Sequence, residues 1–267
     1  MAEDGLLVIV NGIGIPVLVR SYGDALEPPT AAIGVVCALF HATLDAHKTL
    51  AAVAATDCAI AYRSLPSGIL LAFFHRRDAG GMALLLQWLE RGLSLLLGPI
   101  LEQADDTCTL KFELSRAHVL DTLDWLITER SSAALSLGLP VASPGTPVVL
   151  AGIVPWAGAM YLVLDGVVVG DHGGSSSSLR SHEMVLCVGL ASRFAKQTRD
   201  RHMQLTIHVN GASAQLLLAK SATDAALVWW GIGTDALSAA TVQASVLRRP
   251  SAPHSYASLV RAPWGPE

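Results

Sequence analysis

Charged residues are scarce in this sequence. Of its 267 residues only 15% are Asp, Glu, Lys or Arg, the formal net charge is −4, and the isoelectric point is near 6.1. A protein that holds nucleic acid by charge needs a basic surface, and this composition offers none. Aromatic residues make up only 6% of the chain, which weakens a base-stacking function as well. We therefore expect no nucleic-acid partner.

Closely spaced cysteines are also missing. A disulfide or a zinc site is an alternative, but the wide spacing and the absence of a C-x-x-C pair favour buried free thiols in a reducing compartment. The cysteines are Cys37, Cys58, Cys108 and Cys187.

Signal-peptide and membrane-span features are lacking too. The opening MAEDGLLVIV has acidic residues where a signal peptide has basic ones. No run reaches the roughly 18 apolar residues of a membrane span. The longest candidate, GMALLLQWLERGLSLLLGPI, is interrupted by Gln87, Glu90 and Arg91. These features predict a cytoplasmic protein.

Cofactor and catalytic motifs are absent as well. In VIVNGIGIPVLVR, Gly12 and Gly14 resemble the start of the G-x-G-x-x-G fingerprint, but Val17 stands at the third glycine position and Pro16 opens an extended segment. The glycines therefore predict the turn of a β-hairpin between residues 6–11 and 16–21. The sequence contains neither a G-x-S-x-G nor a G-x-x-x-x-G-K-[ST] motif. We expect no cofactor, no catalytic residues and no enzyme activity.

Two histidine-containing pairs allow a metal or catalytic alternative. Asp171-His172 lies beside a Gly/Ser loop, whose flexibility would preorganise ligands poorly, and His182-Glu183 follows that loop. The stretch at residues 75–78, HRRD, is open to two interpretations, a phosphate grip or a solvated strand end. We favour the structural interpretation in each case and expect no metal site.

What the sequence does have is a repeated order of elements. Two strands, a helix, three strands and a helix follow from residue 6, and the same order, β-β-α-β-β-β-α, begins again at residue 160. Between the repeats, residues 131–147 are rich in Ser, Pro and Gly, as a linker would be. The sequence predicts an α/β chain with a first domain at 1–130, a linker at 131–147, a second domain at 148–249, and a tail at 250–267.

Some elements of the two repeats are predicted in more detail. The three strand-like runs at 49–56, 58–65 and 68–76 are separated by turn-length gaps, which favour an antiparallel meander. A further helix is predicted at 115–130 with Ser115 as its N-cap, and the last helix is predicted at 234–249. The helix predicted at 179–197 has one face formed by Met184, Cys187, Ala191 and Phe194.

The first predicted helix has two apolar stripes. One contains Ile33, Val36, Cys37, Phe40 and Leu44, and the other contains Val35, Leu39 and Ala42. A helix lying on a sheet needs only one such stripe. The helix is therefore either buried deeply within its own chain or covered also by a partner. The mean hydropathy of +0.47 favours apolar area buried against another chain, so we predict Val35, Leu39 and Ala42 as partner-binding residues.

Two adjacent tryptophans form a second candidate contact. Trp229 and Trp230 lie within a strand-like run, so their side chains are expected on opposite faces of a sheet. Core packing is the favoured explanation, and a partner surface is the alternative. They complete the set of predicted partner-binding residues.

Several short motifs resemble the tandem-longin family, which includes Fuzzy, the large subunit of the Mon–Ccz exchange factor and the Hermansky–Pudlak exchange-factor subunit. The first domain is similar to that family in the turn Gly14-Ile15-Pro16-Val17 with Arg20, in AIGVVCALFH, in YRSLPSGILLAFF and in LLLQWLERGLSLLLG. PVVLAGIVPWAGAMYLVLDGVVVG is similar to the start of the second longin domain in Fuzzy. The resemblance is nearest to the Fuzzy branch.

The resemblance implies two tandem longin-like domains, each a five-stranded antiparallel sheet packed with helices. It also implies a non-catalytic scaffold subunit that forms a heterodimer with a second longin-domain protein and binds a small Rab-like GTPase. The expected processes are cilium assembly and planar polarity or vesicle traffic, at the ciliary base or the endosomal membrane surface. Membrane association would be peripheral, through partners. The alternative is one subunit of a heterodimeric Rab guanine-nucleotide exchange factor, of the Mon–Ccz type, in endosomal traffic.

One departure from the family concerns length. Family members usually carry a third longin module, whereas this sequence ends soon after the second. A natural short form, a divergent paralogue and a fragment are alternative explanations. The resemblance therefore leaves open the functions that depend on a third module.

Overall fold

The computed structural model describes twelve stretches of the chain. They are residues 5–24, 30–45, 50–54, 58–75, 81–103, 105–128, 148–149, 159–164, 167–172, 179–197, 202–220 and 226–231. The chain divides into two units, Met1–Ser131 and Ser132–Glu267. The predicted linker at 131–147, the predicted last helix at 234–249 and the predicted tail at 250–267 lie outside the described residues.

The first unit contains a five-stranded antiparallel sheet. Its strands are β1 (Gly5–Val10), β2 (Pro16–Tyr22), β3 (Ala52–Ala54), β4 (Ala59–Ser64) and β5 (Leu70–His75). Their order across the sheet is β2-β1-β5-β4-β3. The predicted opening hairpin and the predicted meander of three strands are both confirmed by the strand pairing.

The turn of the opening hairpin is organised by Asn11, which is fully buried. Its side-chain Oδ1 accepts hydrogen bonds from the backbone N–H groups of Ile13 (3.2 Å) and Ile15 (2.8 Å). Gly14 takes a positive φ of 88°, a conformation that glycine adopts without steric cost. The glycines therefore turn a hairpin, as the sequence predicts.

Helices lie on both faces of this sheet. Helix α1 (Thr30–Asp45) covers one face, where Ile33 and Phe40 pack against side chains of the sheet that include Val8 and Leu70. Helix α2 (Met82–Leu97) packs on β4 and β5. Arg63 of β4 forms an ion pair with Glu90 of α2 and lies on the sheet face opposite Tyr62, because successive strand residues point to opposite faces.

The helices that follow α2 correct one detail of the sequence analysis. A short 3₁₀ turn, Gly98–Glu102, leads to α3 (Thr107–Leu114) and α4 (Ala117–Thr128), where the sequence predicted one helix at 115–130 with Ser115 as its N-cap. Ser115 instead ends α3, and its hydroxyl donates to the carbonyl oxygen of Phe112 at 2.7 Å. The cap of α3 is Asp106, whose side chain accepts from the backbone N–H of Thr109.

Helix α4 is fixed to the sheet by one ion pair. The guanidinium of Arg20 on β2 donates two hydrogen bonds to the carboxylate of Asp124, at 2.6 Å and 2.5 Å. A bidentate pair of this kind fixes orientation as well as distance. Tyr22 lies nearby, and burial together with the negative charge of Asp124 raises the pKa of its phenol.

The second unit contains a six-stranded sheet. Its strands are β6 (Val148–Val149), β7 (Ala159–Leu164), β8 (Val167–His172), β9 (His202–Val209), β10 (Ala212–Lys220) and β11 (Ala226–Gly231), in the order β6-β8-β7-β11-β10-β9. The prediction of five antiparallel strands is wrong here, because β6 adds a short parallel pairing along β8. Two β-branched valines suit such an edge position, where β8 would otherwise leave backbone groups unpaired.

Helix α5 (Ser181–Gln197) of the second unit packs on β7, β10 and β11. Every residue from Glu183 to Ala191 is buried. Of the four residues that the sequence places on one face of this helix, Met184, Cys187 and Ala191 are among them, and the side chain of Phe194 lies outside the described residues. Apart from β6, the strand order of the second sheet repeats that of the first, since the strands in chain order are arranged second-first-fifth-fourth-third in both. In both units a helix also follows the second hairpin strand.

Among the described helices, one segment passes a length and composition test for a membrane span. It is Met82–Glu102, which contains α2 and the 3₁₀ turn. More than half of its apolar window is buried inside the protein, and Glu90 forms the ion pair with Arg63. These contacts are those of a core helix.

We expect Asn11→Ala to destabilise the first unit by about 2–3 kcal/mol, because it leaves buried backbone N–H groups without acceptors. It also removes the hydrogen bond from Asn11 Nδ2 to Thr107 Oγ1, 2.8 Å long. Chemical unfolding measures the change. In a double-mutant cycle with Thr107→Val, the two effects should be less than additive, whereas Thr128→Val, whose hydroxyl bonds within its own helix, should add fully. If the effects of Asn11→Ala and Thr107→Val were fully additive, the result would contradict the hydrogen bond between these two side chains.

Candidate partner-binding surface

The inner face of helix α1 belongs to the core of the first unit. Ile33, Cys37 and Phe40 are buried against the sheet, and the ring of Phe40 stacks on that of Tyr62, with 5.7 Å between ring centroids. These residues recur at spacings of three and four, which places them along one side of a helix. The predicted stripe is thus confirmed as core at Ile33, Cys37 and Phe40, with Val36 packed against them, and the side chain of Leu44 lies outside the described residues.

The opposite face of α1 is apolar and exposed. The side chain of Val35 is 68% exposed and that of Leu39 is 44% exposed, and Ala42 is exposed beyond them. The remaining exposed residues of this stripe are Ala31, Gly34 and Ala38. We call these six residues the α1 outer face. The three partner-binding residues predicted in α1 therefore lie together on one uncovered surface.

The α1 outer face is electrically neutral. From Thr30 to Leu44 the sequence contains no Asp, Glu, Lys or Arg. His41 is half-buried at the side of the helix, with its ring edge-on to Phe40 at 5.8 Å. A charged partner surface would lose hydration here without gaining a counter-charge. The face therefore suits an apolar partner.

Small side chains allow a close approach to this face. Gly34, Ala38 and Ala42 follow one another at intervals of four, and a Cβ added to Gly34 would meet no atom within 4 Å. Val35 and Leu39 stand beside this row as the larger side chains. A helix packed here would contact the backbone along the small residues and enclose the two larger side chains, since ridges on one helix fill grooves on the other.

The predicted tryptophan pair lies in the second unit. Trp229 and Trp230 are in β11, which pairs with β10 on one side and β7 on the other. In this register Trp229 is opposite Leu217 and Met160, and Trp230 is opposite Leu216 and Ala159. β11 is thus an internal strand of its sheet. The partner-binding role of this pair stays a prediction, since the side chains lie outside what the structure describes.

Within the described stretches, no group of three or more His, Cys, Asp or Glu side chains is placed to hold a metal ion. In the His182-Glu183 pair, Glu183 is buried and its Oε2 accepts the backbone N–H of Arg180 at 2.7 Å. The carboxylate thereby caps the start of α5, as a glutamate in the first turn of a helix commonly does. Asp171 and His172 are the last two residues of β8, and their side chains lie outside the described residues. His75 is the last residue of β5.

The four cysteines are free thiols. Cys37 and Cys187 are buried, and burial raises the pKa of both. For Cys187 the nearby carboxylate of Glu183 adds to the effect, and the pKa rises to about 12. A thiol that keeps its proton at neutral pH is a poor nucleophile, so Cys187 serves packing.

Sequence reasoning missed one exposed apolar feature. The loop between β1 and β2 presents Ile13, which is 64% exposed, and Ile15, which is 41% exposed. Hairpin turns are normally built from polar residues and glycine. Two isoleucines within the predicted turn were the sequence signal that could have indicated this exposed apolar surface.

We expect Leu39→Ala to change the free energy of unfolding by less than about 0.5 kcal/mol, because an exposed side chain loses little packing. Phe40→Ala should cost about 3–5 kcal/mol, since it empties a core position. Denaturant unfolding of the two variants measures the contrast. Equal costs would mean that Leu39 belongs to the core.

The buried phenol of Tyr62 predicts a loss of stability at alkaline pH. Burial, with smaller contributions from Cys37 and Cys58, raises its pKa from 10.0 to about 12. The native state therefore holds a proton that the unfolded state releases, and the free energy of unfolding falls as pH rises from about 10 towards 12.

Tyr62→Phe should reduce this alkaline loss and leave stability at pH 7 unchanged or slightly higher, because the hydroxyl has no hydrogen-bond partner among the described residues. Unfolding free energies at neutral and alkaline pH measure both effects. An unchanged pH dependence in the variant would assign the alkaline loss to other groups.

The chain was compared with models of known protein families and with curated proteins, and neither comparison finds a match. The interpretation of the α1 outer face therefore depends on its own burial, charge and place in the fold.

Proposed function

We propose that this protein is a non-catalytic scaffold subunit with two longin-like units, which pairs with a second longin-domain protein and binds a small Rab-like GTPase. The observation that carries this proposal is the α1 outer face, an exposed and uncharged apolar surface on a helix whose other side forms a core. Surfaces of this kind mark sites of association, because soluble proteins seldom leave contiguous apolar area in water.

The longin-like assignment is supported by topology. Both sheets have the strand order second-first-fifth-fourth-third, and both units place a helix after their first hairpin. In the first unit helices cover both faces of the sheet. These features agree with the motifs that resemble the tandem-longin family, and the nearest resemblance is to Fuzzy.

Pairing through α1 is supported by a comparison of the two units. Helix α5 has the same place in the second unit as α1 has in the first, yet α5 is buried on every side from Glu183 to Ala191. From Glu183 to Ala191 no face of α5 is exposed, whereas α1 leaves one face exposed. A helix or sheet surface of the second longin protein would cover the open one.

The biological setting follows from the resemblance to the Fuzzy branch. The heterodimer would act in cilium assembly and planar polarity or in vesicle traffic, in the cytoplasm and at the ciliary base or endosomal surface. Contact with the membrane would be peripheral and made by its partners. The alternative of one half of a Rab exchange factor uses the same pairing surface, so biochemical activity must separate the two.

The primary experiment is affinity purification of the tagged protein from its native cells, followed by sizing of the complex and mass spectrometry of the co-eluting chains. We expect a second longin-domain protein and a small GTPase in the complex. A stable monomer without either chain would refute the proposed scaffold function.

Release of labelled GDP from the co-purified GTPase then distinguishes the two activities. Faster release that requires both longin proteins supports the exchange-factor alternative. Stable binding that depends on GTP, with unchanged GDP release, supports an effector or adaptor.

We expect Val35→Asp and Leu39→Asp each to reduce recovery of the longin partner at least about tenfold, because each buries an unpaired carboxylate in an apolar contact. The same complex, isolated from cells that express each tagged variant, measures the effect. The matched control is Leu84→Asp, since Leu84 lies on α2 and its exposure of 45% is close to that of Leu39.

Far-UV circular dichroism and thermal unfolding of the purified variants should match the wild type, since both positions are exposed. Normal partner recovery with folded Val35→Asp and Leu39→Asp would mean that pairing uses another surface. Equal loss with Leu84→Asp would mean that added charge acts non-specifically.

A further inference from the structure

The loop between β1 and β2, residues 11–15, combines exposed apolar side chains with a rigid backbone. Ile13 and Ile15 are exposed at its tip. Below them, Asn11 donates from its backbone N–H to the carbonyl oxygen of Ile15 (2.9 Å) and accepts at its own carbonyl oxygen from Gly14 N–H (3.0 Å). With the two bonds to Asn11 Oδ1, the loop has a fixed shape before any partner arrives.

A second contact fixes where the loop lies. Asn11 Nδ2 donates to the hydroxyl of Thr107 in the first turn of α3. On another side, a Cβ added to Gly68, in the turn between β4 and β5, would lie 3.6 Å from the Cα of Gly12. The two turns and the start of α3 therefore form one continuous surface at the end of the sheet.

The described charges at the start of α3 are mostly negative. Residues 11–15 and 65–69 carry no charge, and residues 98–111 contain three carboxylates and one cation, Lys111. The carboxylates belong to Glu102, Asp105 and Asp106, all exposed. An apolar tip beside acidic side chains is complementary to apolar side chains flanked by basic ones.

We propose that the β1–β2 loop is a docking site for a protein segment in which apolar side chains are flanked by lysine or arginine. The isoleucines would enter an apolar contact, and the carboxylates would pair with the flanking cations. Because the loop is already ordered, binding does not incur the entropic cost of fixing it. The site does not use the α1 outer face and does not depend on the proposed longin pairing.

An anionic membrane is the other surface that would attract exposed isoleucines, and the charges argue against it. The cytoplasmic leaflet is negative and attracts basic segments, whereas Asp105 and Asp106 would be repelled. A protein segment with basic flanks gains from the same carboxylates. The two occupants are distinguishable by experiment.

The test places a photo-reactive benzoylphenylalanine at position 13 of the full chain in its native cells and identifies the cross-linked peptide by mass spectrometry. The expected adduct is one defined protein segment with apolar residues next to Lys or Arg. No adduct, or an adduct to a segment without basic residues, would overturn the proposal. The α1 outer face stays intact, so this result is separate from the pairing experiment.

Affinity measurements with the cross-linked segment as a synthetic peptide supply the variant test. Ile13→Ser with Ile15→Ser should weaken binding at least about tenfold, and the loop should keep its shape because Asn11 bonds only to backbone atoms in it. Asp105→Asn with Asp106→Asn should weaken binding and flatten its salt dependence. Asn at position 106 can still cap α3.

Leu84→Ser is the matched control, since it removes an apolar side chain that is 45% exposed on α2. It should leave peptide affinity unchanged, and an equal loss would overturn the proposal. The membrane alternative is tested with vesicles of phosphatidylcholine and phosphatidylserine in equal parts. Wild-type binding to these vesicles that Ile13→Ser abolishes would also overturn it.

Discussion

Strand β1 is buried on both of its faces, and this burial determines the architecture of the first unit. All six residues from Gly5 to Val10 are buried, so neither face of the sheet around β1 can meet water. Apolar side chains on both faces of a strand require a covering layer on each side. Helix α1 supplies one layer and α2 contributes to the other. Each of these helices has an inner side committed to the sheet, and what remains for function is on the outer sides and at the ends of the strands.

Two ion pairs of the first unit link helices to this sheet. Arg20 pairs with Asp124 of α4, and Arg63 pairs with Glu90 of α2. Ion pairs that are partly exposed contribute about 0–1 kcal/mol each, so they add little to stability. Their geometry matters more, because apolar contacts alone tolerate sliding and a bidentate pair does not. These two ion pairs lie on the α2 and α4 side, whereas the six residues of the α1 outer face include no charged side chain.

The sequence alone predicts those parts of the fold that local chemistry determines. The hairpin around Gly14 and the helical spacing from Ile33 to Phe40 are examples, since turn residues and periodicity act within a few positions. Helix α3 was missed because its eight residues have weak periodicity and its start depends on the cap by Asp106. Strand β6 has only two residues and exists through pairing with β8, which no local pattern encodes.

The candidate site also combines features that local sequence predicts with features that depend on contacts distant in sequence. The sequence reveals two apolar stripes on α1, but it does not decide whether the second is covered by the chain or by a partner, because burial is set by contacts distant in sequence. The prediction of Val35, Leu39 and Ala42 came from the excess of apolar surface. Their exposure in the folded unit is consistent with that reasoning. The sequence places Ile13 and Ile15 within the predicted turn, but a turn pattern does not indicate how exposed its side chains are, so this apolar surface was missed.

A comparison of α1 with α5 indicates which kind of partner surface could cover the α1 outer face. Both helices follow the first hairpin of their unit and pack on a sheet of the same strand order apart from β6, yet only α1 has an exposed apolar face among the described residues. The exposed stripe of α1 contains Gly34, Ala38 and Ala42 between its larger residues, whereas α5 has Val185, Leu186 and Val188 among its buried residues. Small side chains offer little apolar area, and burial of such area contributes only about 25 cal/mol per Å². They gain more against a rigid helix that approaches closely, because dispersion contacts then extend to the backbone. The composition of the α1 outer face therefore favours a preformed helix as its cover.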